Sequence, residues 1–137
     1  MESNERARAE VQRLEGTAWQ ASRSFSPAVV TSGGRTVWLA GQTTLVDLEG
    51  KDITGQFEPQ ARTIFALINK TLERLGASLQ NMVSMTVFIN DPRNGDRFVQ
   101  IRNEHFQGGN FPASALVTVS NFARPGCVIE IQSVAVI

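Results

Sequence analysis

At 137 residues, 42% hydrophobic and 19% charged, the chain has the size and composition of one soluble globular domain, 1–137, with no room for a second. Thirteen basic and thirteen acidic residues cancel, so no net field draws it to nucleic acid or to an anionic membrane. One cysteine excludes an internal disulfide and fits a reducing, cytoplasmic setting, and with a single histidine it leaves too few soft ligands for a structural zinc site.

The chain opens with MESNERARAEVQRLEG, which is charged and lacks the apolar core of a signal peptide. No later apolar run reaches the ~18 residues of a membrane-spanning helix. Residues 1–20 read as a polar N-terminal extension in which Val11 and Leu14 offer at most a short helical face. In AVVTSGGRTVWLAGQ, two β-rich runs, 28–31 and 36–40, flank Ser32-Gly33-Gly34-Arg35, and the pattern predicts a hairpin with the glycines taking positive φ. A loop rich in Asp and Gly runs from Asp47 to Gly55.

The clearest helix follows. Pro59 suits a first helical position, Ala61, Ile64, Phe65, Ile68, Leu72 and Leu75 recur at spacings of three and four, and Gly76 stops the helix. Residues 82–90, MVSMTVFIN, read as a strand closed by Asp91-Pro92. A shorter helix is expected from near Asp96 to Phe106, broken by Gly108-Gly109. Two last strands, about 114–120 and 127–137, are joined by Ala123-Arg124-Pro125-Gly126.

This order predicts an α+β fold, one sheet covered by two helices. Helices can shield one face only. Yet Val83, Met85, Val87 and Ile89 alternate against Met82 and Phe88, and Ile129, Ile131, Ala135 and Ile137 against Val128, Val134 and Val136. A sheet with one wetted face alternates more strictly than this, so a partner subunit is expected on the second face.

Within that apolar setting Glu130 stands out, in CVIEI. A buried carboxylate must be paired, hydrogen-bonded or protonated, and burial favours a group that exchanges protons with water near neutrality. The competing reading is an edge-strand residue, or an ion pair with Arg124 or Arg102. Ser114, in FPASALVTVS, is sixteen residues before Glu130, close enough for adjacent strands to bring both together. It can offer a hydroxyl to a ligand, or merely bond the backbone at a strand start. No G-x-S-x-G elbow surrounds it, which argues against a nucleophile. Gly41, in LAGQT, either bares its N–H for a ligand or marks a bulge. Arg102 follows Ile101 at the rim of the second helix, where it can clamp a carboxylate or simply be solvated. His105 reads as a helix-face residue and Cys127 as core.

LAGQT, the helix from Pro59 to Gly76 followed by SLQNMVSMTVFIND, the FPAS segment and VIEIQSVAVI together resemble the RidA family, also called YjgF/YER057c/UK114, from about Ala21 to Ile137. The resemblance implies a chorismate-mutase-like fold, a mixed sheet packed on two helices, in a homotrimer with clefts between subunits. It also implies hydrolysis of enamines or imines such as 2-aminoacrylate, without cofactor. Glu130 matches the family glutamate that positions water, and Gly41 the pocket glycine. Ser114 stands where the family has a carboxylate-binding arginine, Leu116 replaces a cysteine, Ala40 a serine and Phe25 a tyrosine. The chain thus resembles the branch reading PAS, which lacks the deaminase arginine.

The expected function is a divergent deaminase-type hydrolase of a small metabolite, with Glu130 catalytic and Ser114, Gly41, Phe25, Arg102, Leu116 and Ala40 binding. Arg102 would supply a displaced cation. The alternative is a non-catalytic trimer that binds metabolites. Ribonuclease activity, also ascribed to the family, is disfavoured by the neutral charge and the lack of basic residues interleaved with aromatics.

Overall fold

Ala61, Ile64, Phe65, Ile68 and Leu72 fall on one stripe of α2 (Phe57–Glu73), and all five are buried in the computed structural model, which describes residues 8–137. Pro59 is the third helical residue rather than the first. Gly76, at φ 73°, lets the Ala77 N–H turn back to the Leu72 carbonyl at 3.0 Å and close the helix end. Leu75, expected in the apolar stripe, lies beyond the last turn and is exposed.

The stripe packs on a four-stranded sheet in the order β3-β6-β4-β5, comprising β3 (Thr36–Gln42), β4 (Met82–Ile89), β5 (Ala113–Thr118) and β6 (Ile129–Val136). β4 and β5 run parallel because α3 (Gly95–His105) carries the chain over between them, and the other pairs are antiparallel. The sheet is therefore mixed, as expected of a chorismate-mutase-like α+β fold. Met85, Val87, Ile89, Ile129, Ile131 and Ala135 meet α2 and the Phe98 and Ile101 side chains of α3 in one core. Outside the core, Arg62 of α2 bridges Glu58 and Glu104, and Arg97 of α3 also bonds Glu58, tying the helices together.

Three further local expectations fail. The runs at 28–31 and 36–40 do not form a hairpin. β2 (Val29–Ser32) pairs with β1 (Glu10–Arg13) in a separate two-stranded sheet, while β3 pairs with β6. Gly33 and Gly34 do take positive φ, 68° and 69°, so the turn chemistry is right and the pairing is not. Val11 accordingly lies on a strand, not a helical face; the rest of the expected N-terminal extension, residues 1–7, lies outside the described residues. Met82, expected on the outer face, pairs with Ala135 across a register shift and is fully buried in the core.

Among the described residues, no helix covers the second face of the sheet. Phe88 and Val134 are half-buried there, Val117 is exposed, and Trp38, which pairs with Val134, is 80% exposed.

Candidate functional site

β6 is anchored at its start by a buried glutamine. Gln60 of α2 donates to the carbonyls of Ile53 (3.0 Å) and Gly126 (2.8 Å), and its Oε1 accepts from the Val128 N–H at 2.9 Å. Two residues further on, Glu130 pairs with Phe88 and projects from the face away from the helices. Its half-buried carboxylate lies against the backbone of Gly41, where a β-carbon would overlap it. The β3–β6 register shifts between Leu39 and Gln42, so Ala40 and Gly41 sit in a bulge beside it. Among the described residues, no Arg, Lys or His stands within ion-pair distance of Glu130, and none donates a hydrogen bond to it. The expected pairing with Arg124 or Arg102 does not occur.

Arg102 is the second unusual group. It was expected at the rim of the packed face; instead it is 1% exposed, because it follows Phe98 by one helical turn on the inward side of α3. Its Nη1 donates to Ser114 Oγ at 2.6 Å and its Nη2 to the Arg23 carbonyl at 2.9 Å, while Nε is buried with no partner. The guanidinium carbon lies over the Phe98 ring at 5.1 Å and the Phe25 ring at 6.0 Å, two cation–π contacts. Burial, reinforced by the nearby Arg23 charge, pulls its pKa down to about 10, which still leaves it cationic at neutral pH.

A cavity of about 280 Å³ opens beside it, between α3, β5 and the short helix α1 (Ala18–Ser22). Phe25, Leu116 and Ser114, all proposed from sequence, line it with Arg102. Trp19, Arg23 and Val99 line it too and were missed. Trp19 is placed by a capping box, Thr17 Oγ1 accepting from the Gln20 N–H and Gln20 Oε1 from the Thr17 N–H, and meets Phe25 edge-on at 6.0 Å. The signal was present in T-A-W-Q, four residues that a reading of 1–20 as mere extension passed over.

The candidates thus split into two groups. Ser114 and Leu116 pair with Met85 and Val87, so they share the helix-covered face, whereas Glu130 shares the opposite face with Phe88. Nor are their strands adjacent, since β4 lies between β5 and β6. Ser114 and Glu130 are therefore not brought together within one chain. His105 stacks on Phe65 at 4.5 Å with Nδ1 against the Ile101 carbonyl, and Cys127 is buried. Among the described residues no group of three or more His, Cys, Asp or Glu side chains is placed to hold a metal ion. A larger hollow of about 420 Å³ lies beside Asn90 and Asn94, but its Arg93 and Asp91 already pair at 2.8 Å.

The family model described as endoribonuclease L-PSP matches residues 15–137. Among curated sequences, a RutC family protein of Pyrococcus abyssi is 28% identical over 102 residues, 74% of this chain and 79% of that one. A 2-iminobutanoate/2-iminopropanoate deaminase of Dermatophagoides farinae is 28% identical over 104 residues, 76% of this chain and 80% of the other. Among solved structures, the Rid family protein YyfB of Yersinia pestis, of unknown function, superposes with a TM-score of 0.79 at 24% identity, covering 94% and 98% of the two chains. RidA of an Antarctic Psychrobacter superposes at 0.65 with 29% identity, covering 82% and 88%.

Proposed function

Because the chain belongs to the endoribonuclease L-PSP family, that of the RidA and YjgF proteins, we propose that it is a divergent hydrolase of small enamine- or imine-type metabolites, with Glu130 ordering the attacking water in a cleft between subunits of a homotrimer. The observation that carries this reading is the Glu130 carboxylate, half-buried against Gly41 on the sheet face away from the helices and, among the described residues, engaged by no hydrogen-bond or ion-pair partner. Such a group takes a proton from water as the water oxygen adds to the C=N carbon. It returns that proton to the nitrogen, giving a carbinolamine, then takes the remaining hydroxyl proton and passes it to nitrogen as C=O forms and the C–N bond breaks, so that imine and water become carbonyl compound and ammonia. No cofactor enters this balance.

The topology supports an assembly, of which the homotrimer is the form the family resemblance implies. Glu130 and the Arg102 cavity lie on opposite faces of one sheet, so a cleft that uses both needs Glu130 from one copy and the cavity from the next. The second face, with Trp38 and Val117 in water, is the apolar surface such a neighbour would cover. The mite relative's deaminase name supports the imine class. The neutral charge weighs against RNA as substrate despite the family's description. A cytoplasmic setting suits the lone, buried Cys127.

A non-catalytic, metabolite-binding trimer is the second reading, favoured by Ser114 and Leu116 standing where the family resemblance implies arginine and cysteine. Glu130→Gln separates the two. With imines generated in situ by an amino-acid oxidase, the variant is expected to release ammonia at least ~100-fold more slowly than the parent while binding product with unchanged affinity. No turnover by the parent, or equal turnover by both, would overturn the hydrolase reading.

A further inference from the structure

Among the described residues, no acid pairs with the Arg102 cation. Of the guanidinium's five N–H groups, one reaches Ser114, one reaches the Arg23 carbonyl, and Nε–H is buried without a partner. Neither partner is charged. Arg23 brings a second guanidinium to the same cavity and is itself matched by Asp96 at 2.6 Å, so the Arg102 charge is left over. A buried cation with no counter-charge is costly even when its N–H groups and the flanking rings are engaged, and that cost is relieved by an anion that binds in the cavity. The walls of the cavity are of opposite character. Trp19, Phe25, Val99 and Leu116 offer apolar surface, with the Trp19 and Phe25 rings held edge-on. About 280 Å³ places the cavity near the small end of ligand sites, commonly ~300–1,000 Å³.

We propose that this cavity binds a monocarboxylate carrying a flat, apolar body, its carboxylate on the Arg102 guanidinium beside the Ser114 hydroxyl and its body between Trp19, Phe25, Val99 and Leu116. The inference names the ligand class of the cleft proposed above and rests on that reading for the reaction, though not for the binding. Ser114 Oγ accepts from Arg102, and its own proton, held only by a long 3.5 Å bond to the Ala115 carbonyl, is free to turn to an incoming oxygen. A short aliphatic acid satisfies the cation and leaves the walls bare; an aromatic amide fills the walls and leaves the cation unmatched. An aromatic acid does both.

Phenylacetate, acetate and phenylacetamide are the probes, titrated into the full chain carrying Trp38→Phe, so that Trp19 is the only indole. Phenylacetate is expected to change Trp19 emission and to bind at least tenfold more tightly than either other probe by calorimetry. Arg102→Met is expected to lose at least tenfold in phenylacetate affinity with a melting temperature equal to or above the parent's, since a buried charge is removed. A merely structural arginine would instead lower it. Should that variant fail to fold, Leu116→Trp fills the cavity without touching Arg102 and is expected to abolish binding. Failure of the parent to bind phenylacetate, equal binding of the amide, or undiminished binding by Arg102→Met or a folded Leu116→Trp overturns the inference. Glu130→Gln is expected to bind phenylacetate as the parent does. Binding without imine turnover would overturn the hydrolase reading alone, and turnover without aromatic-acid binding this inference alone.

Discussion

Ser114 and Arg102 constrain each other. The hydroxyl oxygen lies 2.6 Å from Nη1, in a pocket where the guanidinium is 1% exposed, so position 114 has to be small while Arg102 is present. Ser114→Arg would set a second cation against the first in a medium that screens poorly, at a cost on the order of 3 kcal/mol. Combining it with Arg102→Ala is expected to recover most of that loss, because one guanidinium then occupies the space of the other. Urea unfolding of both variants checks this, and equal stability of the single variant and the parent would contradict it. The sequence revealed Glu130 because a lone carboxylate among Val128, Ile129 and Ile131 breaks a chemical pattern. It did not reveal that Arg102 is buried. An arginine beside an apolar residue on a helix looks the same whether its head reaches water or folds over Phe98, and only the position of β5 decides.

The elements behave unequally for a similar reason. α2 and β4 were legible because one long stripe and one alternating run each meet a single packed surface, and local pattern and tertiary environment agree. The β2–β3 pairing was not. Gly33-Gly34 specifies that the chain turns, while the choice of partner is made by β1 and by the reciprocal Arg35–Ile137 backbone bonds of 2.7 and 2.9 Å, which no window around the turn contains. The position of Glu130 also depends on a distant element. Gln60 ties α2 to Ile53, Gly126 and Val128 just before β6 begins. Gln60→Ala leaves buried backbone groups unmatched and is expected to cost about 2–4 kcal/mol in thermal or urea unfolding. A loss under ~1 kcal/mol would show that water replaces the amide and that β6 needs no such anchor.

At the scale of the whole molecule, two half-sites face away from each other across one sheet. Glu130 and Gly41 occupy the outer face; Arg102, Ser114 and the Trp19–Phe25 wall occupy the helix side. That two-sidedness was legible from the sequence as apolar residues on both faces of β4 and β6, and it is the physical reason to expect assembly. Each copy would lend its carboxylate to a neighbour's cavity, as a closed ring allows. Mixing Glu130→Gln with Arg102→Met chains tests this most directly. Each variant alone is expected to be nearly inactive in ammonia release. Denatured together in equal amounts and refolded, they are expected to recover activity, about a quarter of the parent's for random assembly into rings whose sites join two neighbours. A mixture as inactive as its components, with both variants folded and assembled, would contradict a cleft shared between chains.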